Sequence, residues 1–208
     1  MKIAIVTFDG FNEIDSIVAA HILNRVQVPD WKAEITAPTP TVTSMNGVVI
    51  SSQRQLESLP EADAVIFGSG RRTRQAIADA PLMARIQVSP DRQLVASQCS
   101  GALVMARLGL LGDLPACTDV VTRPELEAAG INVLDAPFYA AGNIASAGGC
   151  LSAQYLATWI IWRFLGKDAA TDALSYVVPV RQEAEYLSRA IETVAPYIST
   201  GRQNDAAA

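Results

Sequence analysis

The sequence predicts an α/β fold in which a mostly parallel sheet is covered by helices on both faces. Three observations carry this. Short, nearly continuous apolar runs recur along the chain, the mark of strands buried on both faces. Stretches with apolar residues at helical spacing separate them, the alternation that builds a parallel sheet. Glycine-containing or polar turns stand where the apolar runs end, which is where such folds bind ligands.

Each element follows from local chemistry. Lys2-Ile-Ala-Ile-Val-Thr-Phe8 is the first strand, stopped by the turn pair Asp9-Gly10. Ile14, Ile17, Val18, His21 and Ile22 recur at helical spacing and predict a helix over about 13–25. Trp31 to Ala37 is a second strand, ended by Pro38 and Pro40. Met45-Asn46-Gly47 sits between two short β-prone segments and predicts a hairpin. Asp63 to Phe67 is the next buried strand; Gly68-Ser69-Gly70 and a helix over about 72–88 follow. Gln93 to Ser97 is a strand, Ser100 to Leu108 a helix, and Pro124 to Ala129 a short helix. Val133 to Ser146 reads as two short strands around Ala141-Gly142-Asn143. Leu151 to Leu165 is a long apolar helix and Gln182 to Val194 an amphipathic one. With neither repeat nor linker, residues 1–198 are expected to form one domain and 199–208 a frayed tail.

Composition narrows the function. The 208 residues carry 16 Lys+Arg against 21 Asp+Glu, a net charge of −5, and half of them are apolar. That excludes a disordered chain and argues against a nucleic-acid binder, which needs a concentrated positive field. The most apolar helix, around Tyr155 to Trp162, ends at Arg163, short of the roughly 20 residues a membrane span needs. The apolar run after Lys2 is too short for a signal peptide. Cys99, Cys117 and Cys150 are odd in number and lack CxxC spacing, so neither a disulfide framework nor a zinc site is expected. The expectation is a cytoplasmic protein with a small-molecule substrate.

Ser97-Gln98-Cys99-Ser100-Gly101 joins a strand to a helix in the pattern small-x-Cys-x-Gly. A nucleophile elbow takes this form because its tight turn crowds the positions two before and two after the nucleophile. The following helix start is expected to favour thiolate at Cys99 and lower its pKa. Cys150, after Ala147-Gly148-Gly149, also lies between a strand and a helix, but Ser152 occupies the +2 position and core packing is expected. Cys117 is expected to be packing.

The single histidine, His21, is six residues from Asp15, which turns it about 120° away on a helix. A core or interface role is expected, which disfavours a Cys-His-acid triad and a glutamine amidotransferase. Carboxylates remain. Glu13 and Asp15 suit a helix start. Asp15, between Ile14 and Ile17, would be costly to bury unless paired or protonated, and a protonated carboxyl facing Cys99 would be a proton donor. Gly70 and Ser100 are candidates for an oxyanion hole built of backbone N–H groups. Arg71, Arg72 and Arg74 attract an anion or form a solvated helix start.

Together these residues resemble the ThiJ/PfpI superfamily, and within it the isonitrile (isocyanide) hydratase branch. Val6-Thr-Phe-Asp9 through Asp15, Ala64 to Gly70, Ser97 to Leu103 with Leu108 to Leu111, and Asn143 to Gly149 carry the resemblance over about residues 1–166. It implies a flavodoxin-like three-layer sandwich, a homodimer and no cofactor. It casts Cys99 as nucleophile and Asp15 as its acid partner, in a branch where that acid is Asp rather than Glu. The chain departs from the branch at Ser100, commonly Thr; at Gly68-Ser69-Gly70, usually Pro-Gly-Gly; and at Ala19-Ala20, usually Gly-Pro. Where many members carry a histidine, Cys117-Thr118-Asp119 stands, leaving Asp119 as an auxiliary candidate. The resemblance implies hydration of an isonitrile to an N-substituted formamide through a Cys99 thioimidate. The alternatives are a glyoxalase-like or other cysteine hydrolase or lyase, and a non-enzymatic cysteine oxidation sensor. A ligand-binding module of a DNA-binding regulator is disfavoured, because too few residues follow the last family-like helix.

Overall fold

A computed structural model describes residues 1–198. The expected tail, 199–208, lies outside the described residues. The main sheet contains β1 (Lys2–Val6), β2 (Lys32–Ala37), β5 (Arg54–Gln55), β6 (Ala64–Phe67), β7 (Leu94–Gln98), β8 (Phe138–Ala141) and β9 (Ile144–Ala147). Its order is β5-β2-β1-β6-β7-β9-β8, and only β8 runs antiparallel to its neighbour. The hairpin around Asn46-Gly47 forms a separate two-stranded sheet, β3 (Thr41–Thr43) with β4 (Val49–Ser51).

Strand side chains alternate between two cores. Ile3, Ile5, Ala64, Ile66, Leu94 and Ala96 face one layer. That layer holds α1 (Ala19–Leu23), α6 (Ala153–Leu165), α7 (Lys167–Ser175) and α8 (Glu183–Val194). Ala4, Val6, Val65, Phe67 and Val95 face the other. There α2 (Thr73–Ala78), α3 (Ala80–Ala84) and α4 (Gly101–Arg107) pack, with α5 (Arg123–Ala128) against α4. The result is the expected three-layer α/β sandwich. Among the described residues, no helix is long and apolar enough to cross a membrane.

The structure departs from the sequence reading at several elements. The helix expected over 72–88 is broken: Asp79 leaves helical space, and its side chain accepts from Leu82 N at 3.0 Å to start α3. Pro81, which has no N–H to give, suits that new first turn. Strand β5 and helix α7 were not anticipated. Helix α7 follows Gly166 at φ +93 and buries Leu174 together with Ala170 and Ala173, two small residues that give little apolar signal. The first helix opens as a π-helical turn, Ile14–Val18, before α1. That turn points Asp15 and Ser16 inward and leaves Ile14 and Ile17 about two-fifths exposed, reversing the apolar face expected there.

The ends of β1 and β6 lie side by side where the strand order switches direction, and β7 and β9 come next. This is the crevice in which an open α/β sheet assembles its site.

Candidate active site

Four turns converge beyond the strand ends. Cys99 follows β7 at φ +47, a left-handed conformation that costs a residue with a β-carbon about 1–2 kcal/mol. The turn is held from several sides. Cys99 N donates to Ala147 O at 2.8 Å, extending the β7–β9 pairing. Thr118 Oγ1 donates to Cys99 O at 2.9 Å. Gly101 lies so close to β6 that a β-carbon there would stand 2.2 Å from Phe67 O. The small residue demanded at the +2 position therefore has a specific cause: the backbone of the neighbouring strand.

Asp15 reaches the same place from the π-helical turn and is wholly buried. Ser69 Oγ donates to its Oδ2. The turn seats Ser16 beneath Gly68, whose missing β-carbon leaves room for the Ser16 hydroxyl. π-Helical turns recur at functional sites because the widened turn re-aims one side chain; here that side chain is Asp15.

The third member is Cys150, which opens a 3-10 turn (Cys150–Ser152) before α6. Its Sγ, the Cys99 Sγ and an Asp15 carboxylate oxygen all lie within 4.8 Å of one another. Asn12 Nδ2 donates to Cys150 Sγ at 3.1 Å. Gln98 Nε2 donates to Gly149 O at 2.7 Å and to Cys150 O at 3.4 Å, and lies 3.7 Å from Cys99 Sγ. Among the described residues, the buried oxygens Asp15 Oδ1 and Gln98 Oε1 have no hydrogen-bond partner. Such groups are expensive to leave unmatched.

The electrostatics reverse one expectation. Burial pushes the Cys99 thiol well above the ordinary cysteine range, and the adjacent Asp15 carboxylate pushes it the same way. Cys150 is raised by burial first and then by Asp15, with the Asn12 contact opposing. The short helix α4 does not offset the burial and the carboxylate. At rest Cys99 is thus a protonated thiol beside Asp15, not a free thiolate. One carboxylate oxygen and two sulfurs would also suit a thiophilic cation. No ligand spacing signals this along the chain, because the two cysteines sit on different strand–helix turns.

The sequence profile of the DJ-1/PfpI family matches residues 1–162. The chain belongs to the DJ-1/PfpI family. No curated protein sequence matches it. Solved structures share the fold. A ThiJ/PfpI family protein from Pseudomonas syringae is 21% identical with a TM-score of 0.76, over 96% of this chain and 88% of that one. Schizosaccharomyces pombe DJ-1 is 17% identical with a TM-score of 0.73, over 86% of this chain and all of that one. Oxidized Toxoplasma gondii DJ-1 is 18% identical with a TM-score of 0.73, over 86% and 98%.

The remaining predicted residues fall as follows in this DJ-1/PfpI chain. Gly70 N donates to Ser100 Oγ at 3.3 Å, and Ser100 Oγ lies 3.0 Å from Thr73 Oγ1, so the two turns meet through the Ser100 hydroxyl. Asp119 Oδ1 accepts from the backbone of Val121 and Thr122, each at 3.0 Å, and shapes the turn before α5. Glu13 is bound by the Ser44 hydroxyl and by Asn46 rather than capping its helix. Arg74 pairs with Glu125, while Arg71 and Arg72 line a groove with Asp9 and Thr43 to Met45. His21 is exposed, its ring 5.9 Å from that of Tyr176, so it is not a core residue. Cys117 is buried and stands outside the cluster.

Asn12 has no place in the sequence reading; there Cys150 is weighed against Cys99 and assigned to core packing, and Ser69 and Gln98 are only parts of the turns that build the site. Ser69 had a signal, since it stands where the resemblance leads one to expect glycine. Cys150 had one in its strand–Gly-Gly–helix setting, which matches the position of Cys99 one strand over.

Proposed function

We propose that this protein is a cysteine-dependent hydratase that adds water to an isonitrile to give an N-substituted formamide. One observation supports it above the others: a cysteine held at φ +47 next to a buried aspartate, with the lone histidine of the chain exposed on α1.

The chemistry suits that pair. The Cys99 sulfur attacks the terminal carbon of the isonitrile. Asp15 accepts the thiol proton and delivers it to the same carbon, which becomes nucleophilic as the S–C bond forms. The product is a thioimidate, with the proton on carbon. The Ser100 N–H at the start of α4 supplies a donor for charge on nitrogen, whereas the Gly70 N–H is taken by the Ser100 hydroxyl. Water then adds to the thioimidate carbon with Asp15 as base, and collapse of the tetrahedral adduct returns the thiol and releases the formamide. The cycle consumes one isonitrile and one water and changes no oxidation state. A thiol resting with its proton suits this cycle, because the proton lost from sulfur is the one carbon needs.

A homodimer accompanies this reading. Ile14 and Ile17 on the turn that carries Asp15, and Leu151 beside Cys150, are exposed apolar residues at the site's edge. A glyoxalase-like reaction has less support, since no histidine serves the site.

The test is conversion of an aryl isocyanide to its formamide. Wild type should turn over, Cys99→Ala should not, and Asp15→Asn should lose about 10²–10⁴-fold. Full activity in either variant removes that residue from the mechanism; no turnover in wild type removes the hydratase reading.

A further inference from the structure

Two thiols in one crevice exceed what hydration needs. The thioimidate uses a single sulfur, yet the fold holds a second one within 4.8 Å of the first. The juxtaposition is built into the backbone. β7 and β9 pair in parallel with Gln98 opposite Ala147, and Cys99 N continues the ladder to Ala147 O. Gln98 then clamps Gly149 and Cys150 from the β7 side. Cys99 is almost wholly buried, whereas Cys150 is partly exposed and within reach of solvent.

We infer that Cys99 and Cys150 form a reversible disulfide on exposure to a hydroperoxide, which masks the nucleophile and protects it from irreversible oxidation. The Cys150 sulfur, the more accessible, attacks the peroxide oxygen; the O–O bond breaks, an alcohol or water leaves, and Cys150 becomes a sulfenic acid. The Cys99 sulfur then displaces water from it, forming the S–S bond. Two thiols and one hydroperoxide thus give one disulfide, one water and one alcohol (a second water for hydrogen peroxide). A thiol reductant reverses the step. Rotation of the Cys150 side chain at the mouth of its 3-10 turn is the movement that brings the sulfurs to bonding distance, about 2.05 Å. Because Cys99 has a resolving partner, it is kept from the sulfinic acid that a solitary oxidised thiol reaches.

The inference takes Cys99 as the nucleophile of the proposed hydratase, the sulfur that the disulfide masks, but its readout requires no turnover, so a failed hydratase assay and a failed linkage are separate results. The full-length protein is treated with hydrogen peroxide, blocked with an alkylating agent and mapped by mass spectrometry without reduction. Trypsin isolates Cys99 in residues 93–107, and cleavage after Glu125 or Glu127 separates Cys117 from Cys150. The expected result is a linked Cys99–Cys150 peptide, loss of two of the three thiols, and full recovery with reductant. In Cys99→Ser, Cys150 should stay as a sulfenic acid trapped by dimedone. In Cys150→Ser, no link should form, and oxidised Cys99 should resist reductant. Sulfinic Cys99 in wild type with Cys150 untouched overturns the inference, as does a link from Cys99 to Cys117 or to a second chain.

Discussion

The turn from β7 into α4 and the turn from β9 into the 3-10 start of α6 solve the same problem differently. Each carries a cysteine beyond a strand end, and each has a glycine pressed against backbone. A β-carbon at Gly101 would lie 2.2 Å from Phe67 O, and one at Gly148 would lie 2.3 Å from Thr118 O. Both turns need a left-handed residue. In the second turn Gly149 takes it, at φ +87, where glycine does so at little steric cost. In the first, Cys99 takes it itself, at φ +47. The difference separates a turn in which glycine absorbs the change of direction from one in which a cysteine does: at Cys99 the strain sits on a residue that the surroundings over-determine.

The largest expected contrast between the two is in turnover. Formamide production should vanish in Cys99→Ala and persist at a reduced level in Cys150→Ala, because only one sulfur enters the thioimidate. Parallel assays of the two variants check this. An inactive Cys150→Ala beside an active Cys99→Ala would exchange the roles of the two sulfurs.

Stability comes next. Gly101→Ala drives a β-carbon into a strand carbonyl that is not free to move, so it should cost about 3 kcal/mol or more. Gly149→Ala meets nothing closer than Ser152 Oγ at 3.9 Å and pays only for its backbone, φ +87 with ψ 134, about 1–3 kcal/mol. Urea unfolding of the two variants measures both. Equal costs would mean that crowding against β6 is not what fixes the elbow.

Cys117 supplies the third comparison, a cysteine with no elbow. Burial pushes its thiol up to about 11. A raised folded-state pKa means that the folded protein holds the proton more tightly than the unfolded chain. The stabilisation is complete below about pH 9 and disappears as pH rises through 11, at most about 2–3 kcal/mol. Cys99, also raised, loses stability in the same direction. Unfolding followed from pH 8 to 11 should show a shallower fall in Cys117→Ala than in wild type. An identical slope would mean that the buried thiol is not what titrates.

The sheet was legible because buried parallel strands are apolar almost without interruption, and Lys2–Val6, Ala64–Phe67 and Leu94–Gln98 all show it. The elbow was legible because crowding restricts residue type at a fixed spacing around Cys99. The rest of the site depends on long-range packing that no local pattern records. Asp15 enters through a π-helical turn, whose register a 3.6-residue helix does not predict. Cys150 joins Cys99 only because β9 lies beside β7, and the thiol's raised pKa reflects burial by several turns at once, where the sequence showed only a helix start. Helix α7 went unseen because alanines pack well yet carry little periodic signal.

The smallest effect isolates the strain itself. Alanine ordinarily beats glycine by about 0.4–1 kcal/mol at a position whose backbone both can adopt, because glycine loses more chain entropy on folding. Position 150 is not among the positive-φ residues, so Cys150→Ala should be more stable than Cys150→Gly by that margin. Position 99 should show the opposite sign. At φ +47 the β-carbon is penalised by about 1–2 kcal/mol, which outweighs the entropy term and leaves Cys99→Gly ahead of Cys99→Ala by up to about 1 kcal/mol. For a chain of this length that is a rise of a few degrees in Tm, about 2–4 °C at most. Both variants at each position lack the sulfur, so lost thiol contacts and altered proton binding cancel within each pair. A crossed sign between the two pairs would locate the strain at Cys99; the same sign at both would show that the elbow is held without it.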